Sequence, residues 1–574
     1  MRALLSVLVV LAGMVASCQK PAQTESSKPL PETVVKVWPK PLPEKIVKAW
    51  TKAGAAFGWI TVNDLGFPQW ANKATAGSVP GFRFDMWKEG VIAKLPAPEA
   101  PFGLNLSFTE VTDAGVKELA GFTSLTMLDL NGTQVTDAGV KELAGLQDLT
   151  MLDLVGTAVT DAGAKELVRL PSLTMLSLSD TEVTDAGVKD LAGLKRLTTL
   201  DLGRTQVTDQ MLQTLREIGL LHAFSKASAA NGKRPTRVED IITLDLSNTL
   251  VTDAGVKELA VLKSLTTLDL SHTKVTGAGL KDLASLTRLT ELDLPNTLLT
   301  DAGLKELAEL KSLTMLTLGF SQVTDAGLKE LAGLTRLTTL NLTGMHVTDA
   351  GVKGLAGLKR LTTLNLGFTR VSDQMLQTLR EIGLLHAFSK ASAASGKRPT
   401  RVEDIITLDL SETDVTDAGL KELAELKSLT TLNLSYTKVT VVGLKELAGL
   451  TRLTSLDLRH TWVTDQMLQT LREIGLLHAF SKASAANGKR PTRVEDVTTL
   501  DLSNTEVTDA GLKELAGLTS LATLNLGFTE VTDAGLKELA ELKSLTMLDL
   551  YGANVSSGAV TELQKALPNC QIVH

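Results

Sequence analysis

The sequence predicts an α/β solenoid, with a parallel β-sheet on a concave face and helices on a convex face. Three observations carry the prediction. Residues 125–147, LTMLDLNGTQVTDAGVKELAGLQ, recur in close copies to the end of the chain. Two hydrophobic periods meet inside that unit: alternation around Leu128, Asp129 and Leu130 argues a short strand with one buried face, and Val140, Leu143 and Leu146 at three-residue steps argue a short amphipathic helix. The LxL pairs keep a fixed step, Leu128, Leu152, Leu176 and Leu200 lying 24 residues apart. A unit this small cannot bury its own apolar face, so neighbours must stack into one continuous core. Neighbouring strands pair at about 4.8 Å whereas helices side by side need about 8–10 Å. The sheet therefore lies inside the curve, and the mismatch bends the array by on the order of 15–20° per repeat.

The pattern LxxLxL at Leu125, Leu128 and Leu130, followed by Thr133 and Val135, resembles a leucine-rich repeat, and the match runs over about four-fifths of the chain. The VTDAGLKELA half is similar to the cysteine-containing class of that family, with Thr where the class places Cys. The resemblance implies a leucine-rich-repeat horseshoe that binds a protein through its concave face without catalysis. The TDAGLKEL units and the LREIGLLHAFSKASA segments further resemble multi-repeat envelope proteins of planctomycete bacteria, which implies a place in the cell envelope.

In chain order, residues 1–18 read as an address. Arg2 gives a positive start, an apolar run follows from Ala3 to Ala16, and small residues lead to Cys18. That run is too short to cross a bilayer, which argues a secretory signal. Its VASC ending resembles the lipobox of bacterial lipoproteins, implying cleavage before Cys18 and diacylation of its thiol; an ordinary signal peptide with a chance cysteine is the alternative. Residues 19–43 carry six prolines among Ser, Thr and Lys, which suits an extended tether. Residues 44–100 hold Trp50, Trp59, Trp70 and Trp87 and are expected to cap the solenoid. There Ile46, Val47, Trp50, Ala53 and Phe57 suggest an amphipathic helix, followed by short strands or loops that cover an otherwise open core and strand edge. A small aromatic carbohydrate-binding module is the alternative.

Seventeen repeats fill residues 101–566. Three are long: the steps from Leu200 to Leu244, Leu364 to Leu408 and Leu456 to Leu500 are 44 residues, which puts a 20-residue insert between helix and strand. Met211, Leu215, Ile218, Leu221 and Phe224 predict a longer helix ending near Asn231 and Gly232, then a polar loop. The Thr after LxL, as at Thr133, Thr157 and Thr297, is expected to bond backbone groups that the bend leaves unpaired. Ser321 is expected to do the same. Met345 and Ala553 lack the hydroxyl, which predicts a local irregularity at Met345. Leu567, Cys570 and Ile572 read as a final LxxLxL in a C-terminal capping strand over 567–574, with Cys570 a buried thiol.

Composition excludes several functions. A net charge of -7 over 574 residues gives no nucleic-acid-binding face. Cys18 and Cys570 lie at opposite ends, leaving neither a disulfide framework nor a zinc spacing. His222, His386 and His478 sit in the inserts and the other histidines are scattered, so no metal or general-base pair forms. No phosphate-binding glycine loop or GxSxG elbow occurs. No catalytic residue, metal or cofactor is expected.

Binding has better candidates. The residue inside LxL is Asp or Asn in most repeats, and Asp245, Asp269 and Asp293 form the longest uninterrupted acidic run. Like charges about 4.8 Å apart repel, a strain relieved by a basic partner or cations. A solvated polar face left by repeat copying is the alternative. Two residues after LxL the copies vary more, and later repeats carry Phe320, Phe368, Tyr436 and His460, with Trp462 beside the last. Five repeat steps, roughly 24 Å along the sheet, separate Phe320 from His460, a length suited to a peptide, glycan strand or protein edge. The competing expectation is that these rings fold onto neighbouring turns. The insert loops 232–237, 396–401 and 488–493 make three basic knobs, to be solvated or set against anionic lipid or wall polymer. The expected partner is a protein, with a glycan as the alternative, and the membrane is met through the lipid anchor only.

Overall fold

The computed structural model describes residues 40–63, 68–480 and 482–574. The signal over 1–18, Cys18 and the tether as far as residue 39 lie outside the described residues. A helix over Glu44–Lys52 leads into strands Ala56–Val62, Pro68–Ala71 and Val79–Arg83. The helix is shorter than its apolar spacing suggested, because Gly54 at φ +103° turns the chain and Phe57 falls on the first strand. Trp50 is fully buried, stacked on Phe82 at 4.4 Å with Phe102 and Phe122 around it, and its indole N–H donates to the Pro96 carbonyl at 3.0 Å. Val79–Arg83 pairs in parallel with Phe102–Asn105, the strand of the first repeat, so this segment prolongs the repeat sheet.

Each later repeat adds a short parallel strand in strict register, Leu128 opposite Leu152 and Leu244 opposite Leu268. The LxL leucines are buried throughout and join one continuous core with the valines and leucines of the helices. Every Thr at the turn position donates its hydroxyl proton to the carbonyl three residues back, as Thr133 does to Leu130 at 2.6 Å and Thr297 to Leu294 at 2.7 Å. Two expectations fail here. The Ser321 hydroxyl is buried and has no partner. Met345 disturbs nothing: its backbone N–H donates to the Leu342 carbonyl at 3.2 Å, as the Thr backbones do in other turns, and its side chain is buried.

The TDAG element ties repeat to repeat. Asp137 accepts the backbone N–H of Thr160 at 2.8 Å through one carboxylate oxygen and the Thr160 hydroxyl at 2.7 Å through the other. The glycine follows from this contact, since a Cβ on Gly139 would come within 2.5 Å of the Asp113 carboxylate. The bond recurs along the array, as from Asp373 to Thr416 and from Asp509 to Thr532. Asp137→Ala is expected to cost about 1–3 kcal/mol, the range for leaving hydrogen-bonded polar groups unpaired, and a denaturation midpoint equal to that of the unaltered protein would refute the role.

The inserts are not extended helices. Asp209–Glu217 stops at Gly219, φ +79°, where Leu220 donates back to the Leu215 carbonyl at 2.9 Å in a helix-ending turn. The chain then returns to the sheet. Phe224 bridges to Leu200, and Ala227–Ser228 pairs antiparallel with Thr243–Asp245, the pattern repeating at Ala391–Ser392 and Ala483–Ser484. Each insert thus occupies a strand position, and among the described residues the array is divided into sheets of eight, seven, four and five strands. Arg216 and Glu258, 2.5 Å apart, join the helices on either side, as do Arg380 with Glu422 and Arg472 with Glu514. At the C-terminus Ile572 pairs with Leu548, keeping the 24-residue step. Cys570 therefore precedes the strand instead of lying on it, two positions from the sequence assignment, and is buried all the same.

Candidate functional site

The second residue after LxL has positive φ in all seventeen repeats, from Phe108 at 57° to Gly552 at 74°. The variable position is therefore the left-handed residue of the turn leaving the strand, so Phe320, Phe368, Tyr436 and His460 stand on the rim of the sheet and not on its concave strands. Gly, Asn and Asp suit that backbone, whereas a bulky residue there costs roughly 1–2 kcal/mol. Trp462 has the same geometry, φ 56°, at a position where Gln206 and Arg370 are its counterparts in the other insert-bearing repeats.

The rings divide into two groups. Phe320 lies over Gly344, where any Cβ would overlap its ring, and Tyr436 stacks on His460 with centroids 4.1 Å apart and planes 16° apart. Those rings do fold onto neighbouring turns. Phe368 and Trp462 do not, and remain 84% and 74% exposed. The 24 Å run is also interrupted, because the second insert places a strand between the repeats of Phe368 and Tyr436. Phe108, Phe528 and Tyr551 are exposed as well and went unselected; the turn position alone would have found the first two.

The acids inside LxL serve the turn. Asp269 accepts the backbone N–H of Ser271 at 2.8 Å, and Asn341 accepts that of Thr343 at 3.0 Å, which explains why Asp and Asn interchange. The common requirement is a side-chain oxygen acceptor, not a charge. Asp293 is the exception because the residue two on is Pro295, which has no N–H; burial raises its pKa, with Asp269 and Glu291 adding to the rise against a bond from Thr317. Asp245, Asp269 and Asp293 do stand in register. Asp245 has its basic neighbour within the chain, Lys226 of the first insert at 3.6 Å, as Asp501 has Lys482 at 3.4 Å.

The basic knobs are smaller than the sequence suggested. Arg234 turns inward and donates to the carbonyls of Ala223, Phe224, Ser225 and Ala227 at 2.7–2.8 Å, holding the insert strand in shape. Arg398 does likewise toward Ser389 and Ala391. Arg237 faces Asp240 at 3.1 Å. His386 and His478 are buried, whereas His222 is not. Among the described residues no group of three His, Cys, Asp or Glu side chains is placed to hold a metal ion, and no helix is long and apolar enough to cross a membrane.

Stacked strand–turn–helix units with a parallel sheet, a hydroxyl-bonded turn and an exposed rim define a solenoid scaffold. The chain belongs to the leucine-rich-repeat family: nine segments, 104–120, 123–144, 169–192, 261–284, 334–356, 405–424, 425–448, 496–516 and 517–540, match the model described as Leucine Rich repeat. Similar solved structures include an internalin from Listeria monocytogenes (21% identity, 78% of this chain and 86% of that one, TM-score 0.24) and a leucine-rich-repeat protein of Leptospira interrogans (20%, 86% and 93%, TM-score 0.32). A plant peptide hormone receptor solved with its peptide is also similar (16%, 82% and 89%, TM-score 0.33). No curated protein sequence matches the chain. Proteins of this family generally serve as interaction scaffolds, and the fold is typically non-catalytic.

Proposed function

We propose that the protein is a non-catalytic binding scaffold of the bacterial cell envelope, holding a protein partner along the concave face and strand-exit rim of its later repeats. The observation that carries this reading is the pair Phe368 and Trp462, exposed rings kept on a left-handed backbone without a stacking neighbour among the described residues. Local strain retained without local return points to use elsewhere, and exposed Trp and Phe supply large apolar contact. Tyr436 and His460 add a flat stacked face, which supports polysaccharide binding as the second reading. Changing Phe320, Phe368, Tyr436 and Trp462 to Ala should remove one protein from an envelope pull-down. Loss of glycan-array retention instead would favour the polysaccharide, and no change in either would leave an architectural spacer.

Anchoring through Cys18 belongs to the same reading. Cys18→Ser is expected to move the protein from the membrane fraction to the soluble one, and unchanged partition would remove the anchor.

A further inference from the structure

The eight-stranded sheet at the amino-terminal end carries a pocket separate from the rim. Val62 and Asn63, at the end of Ala56–Val62, line one pocket of about 330 Å³ together with Met127, Met151, Met175 and Arg234 of the first insert. Along the sheet the strand Ala56–Val62 and the strand Thr199–Asp201, which precedes that insert, are six steps apart, roughly 29 Å at about 4.8 Å per step. The pocket lies between the projecting end of Ala56–Val62 and the first insert, over the strands that carry the three methionines.

The floor of this pocket departs from the repeat pattern. Met127, Met151 and Met175 follow one another in register, in a row where most other repeats carry Thr, including Thr199, Thr243, Thr267, Thr339 and Thr363. Met547 takes the same position near the other end and is 43% exposed, whereas Met151 is 2% exposed. Ile60, Trp70 and Val79 of the first strands pack against the methionine row. Three consecutive apolar residues thus stand where the first strands pack against the repeat sheet, and unbranched thioethers adapt to irregular apolar shapes.

Among the described residues the pocket's one charged lining residue is a cation. Arg234 is half-buried, its Nε has no hydrogen-bond partner, and burial pushes its pKa down to about 10, with Asp201 the carboxylate that acts against the fall. The two terminal nitrogens are taken by the carbonyls of the insert, so Nε–H is the one unpaired donor of a cation whose nearby carboxylate, Asp201, is already bonded to Ser225 and to the Gly203 backbone, and that donor is complementary to an added anion. We propose that this pocket binds a small apolar carboxylate, its hydrocarbon body against Met127, Met151 and Met175 and its carboxylate toward Arg234.

Calorimetric titration of the full chain with octanoate and with octanol tests this. Octanoate should bind with one-to-one stoichiometry and octanol at least tenfold more weakly. Arg234→Gln should weaken octanoate at least tenfold. Arg398→Gln removes the corresponding arginine bonds, to Ser389 and Ala391, from the second insert, away from the methionines, and should leave octanoate binding within twofold. Met151→Gln should weaken both ligands and keeps the proposal testable if Arg234→Gln does not fold. Absence of saturable octanoate binding, equal affinity for the two ligands, or equal loss from the two arginine variants would overturn it.

Discussion

Trp50→Ala is expected to open the amino-terminal end of the solenoid while leaving its carboxy-terminal repeats folded. The indole fills the space between Phe82, Phe84, Phe102 and Phe122 and satisfies the Pro96 carbonyl, so its removal leaves a large cavity and an orphaned acceptor. Truncations of this size cost about 3–5 kcal/mol. In a stacked array stability is nearly a sum of neighbour terms, so the loss stays near the site that suffers it. Hydrogen exchange should quicken in the strands Val79–Arg83, Phe102–Asn105 and Leu125–Asp129 and stay slow in Thr523–Asn525 and Met547–Asp549. Uniform loss of protection along the chain would show instead that the array unfolds as one unit.

Asp153→Asn is expected to stabilise the protein above neutral pH. Asp153 is buried on the amino-terminal sheet beside Asp129, and its pKa rises from 3.8 to about 7, first through burial and then through Asp129, against a bond from the Val155 backbone. Burial also raises Asp129, to about 6. A carboxyl whose folded pKa lies above its unfolded value stabilises the fold in its protonated form. That contribution is intact below about pH 4 and is lost as pH climbs toward about 7. Asparagine keeps the oxygen that accepts the Val155 N–H and already stands at this position in Asn341 and Asn365, while removing the charge. The gain should be roughly 2–4 kcal/mol at pH 8, given about 1.4 kcal/mol per pKa unit, and should vanish near pH 4. Urea titrations at the two pH values decide it: an equal effect at both would mean that the charge of Asp153 is not what burial penalises.

The repeat unit was legible because its information is local. Leu128 and Leu130 declare a strand, Val140 and Leu143 a helix, Thr133 a turn that needs a hydroxyl, and each declaration depends on residues within one unit. The aromatic candidates were legible as residue types but not as positions, since a left-handed turn residue and a concave strand residue look alike until the backbone angle is known. The longer helix read into Met211, Leu215 and Phe224 failed for a related reason: Gly219 ends the helix, and the apolar residues beyond it are buried as part of the sheet.

By itself the sequence determined the period, the register of the leucines and the continuous core, because a stack of near-identical units can satisfy its apolar spacing in only one way. Tertiary structure alone decided which concave and rim side chains meet water. The methionine row, Arg234 and the Asp129–Asp153 pair owe their burial to residues that lie far along the chain and near in space, and no pattern within a 24-residue unit records what packs against it.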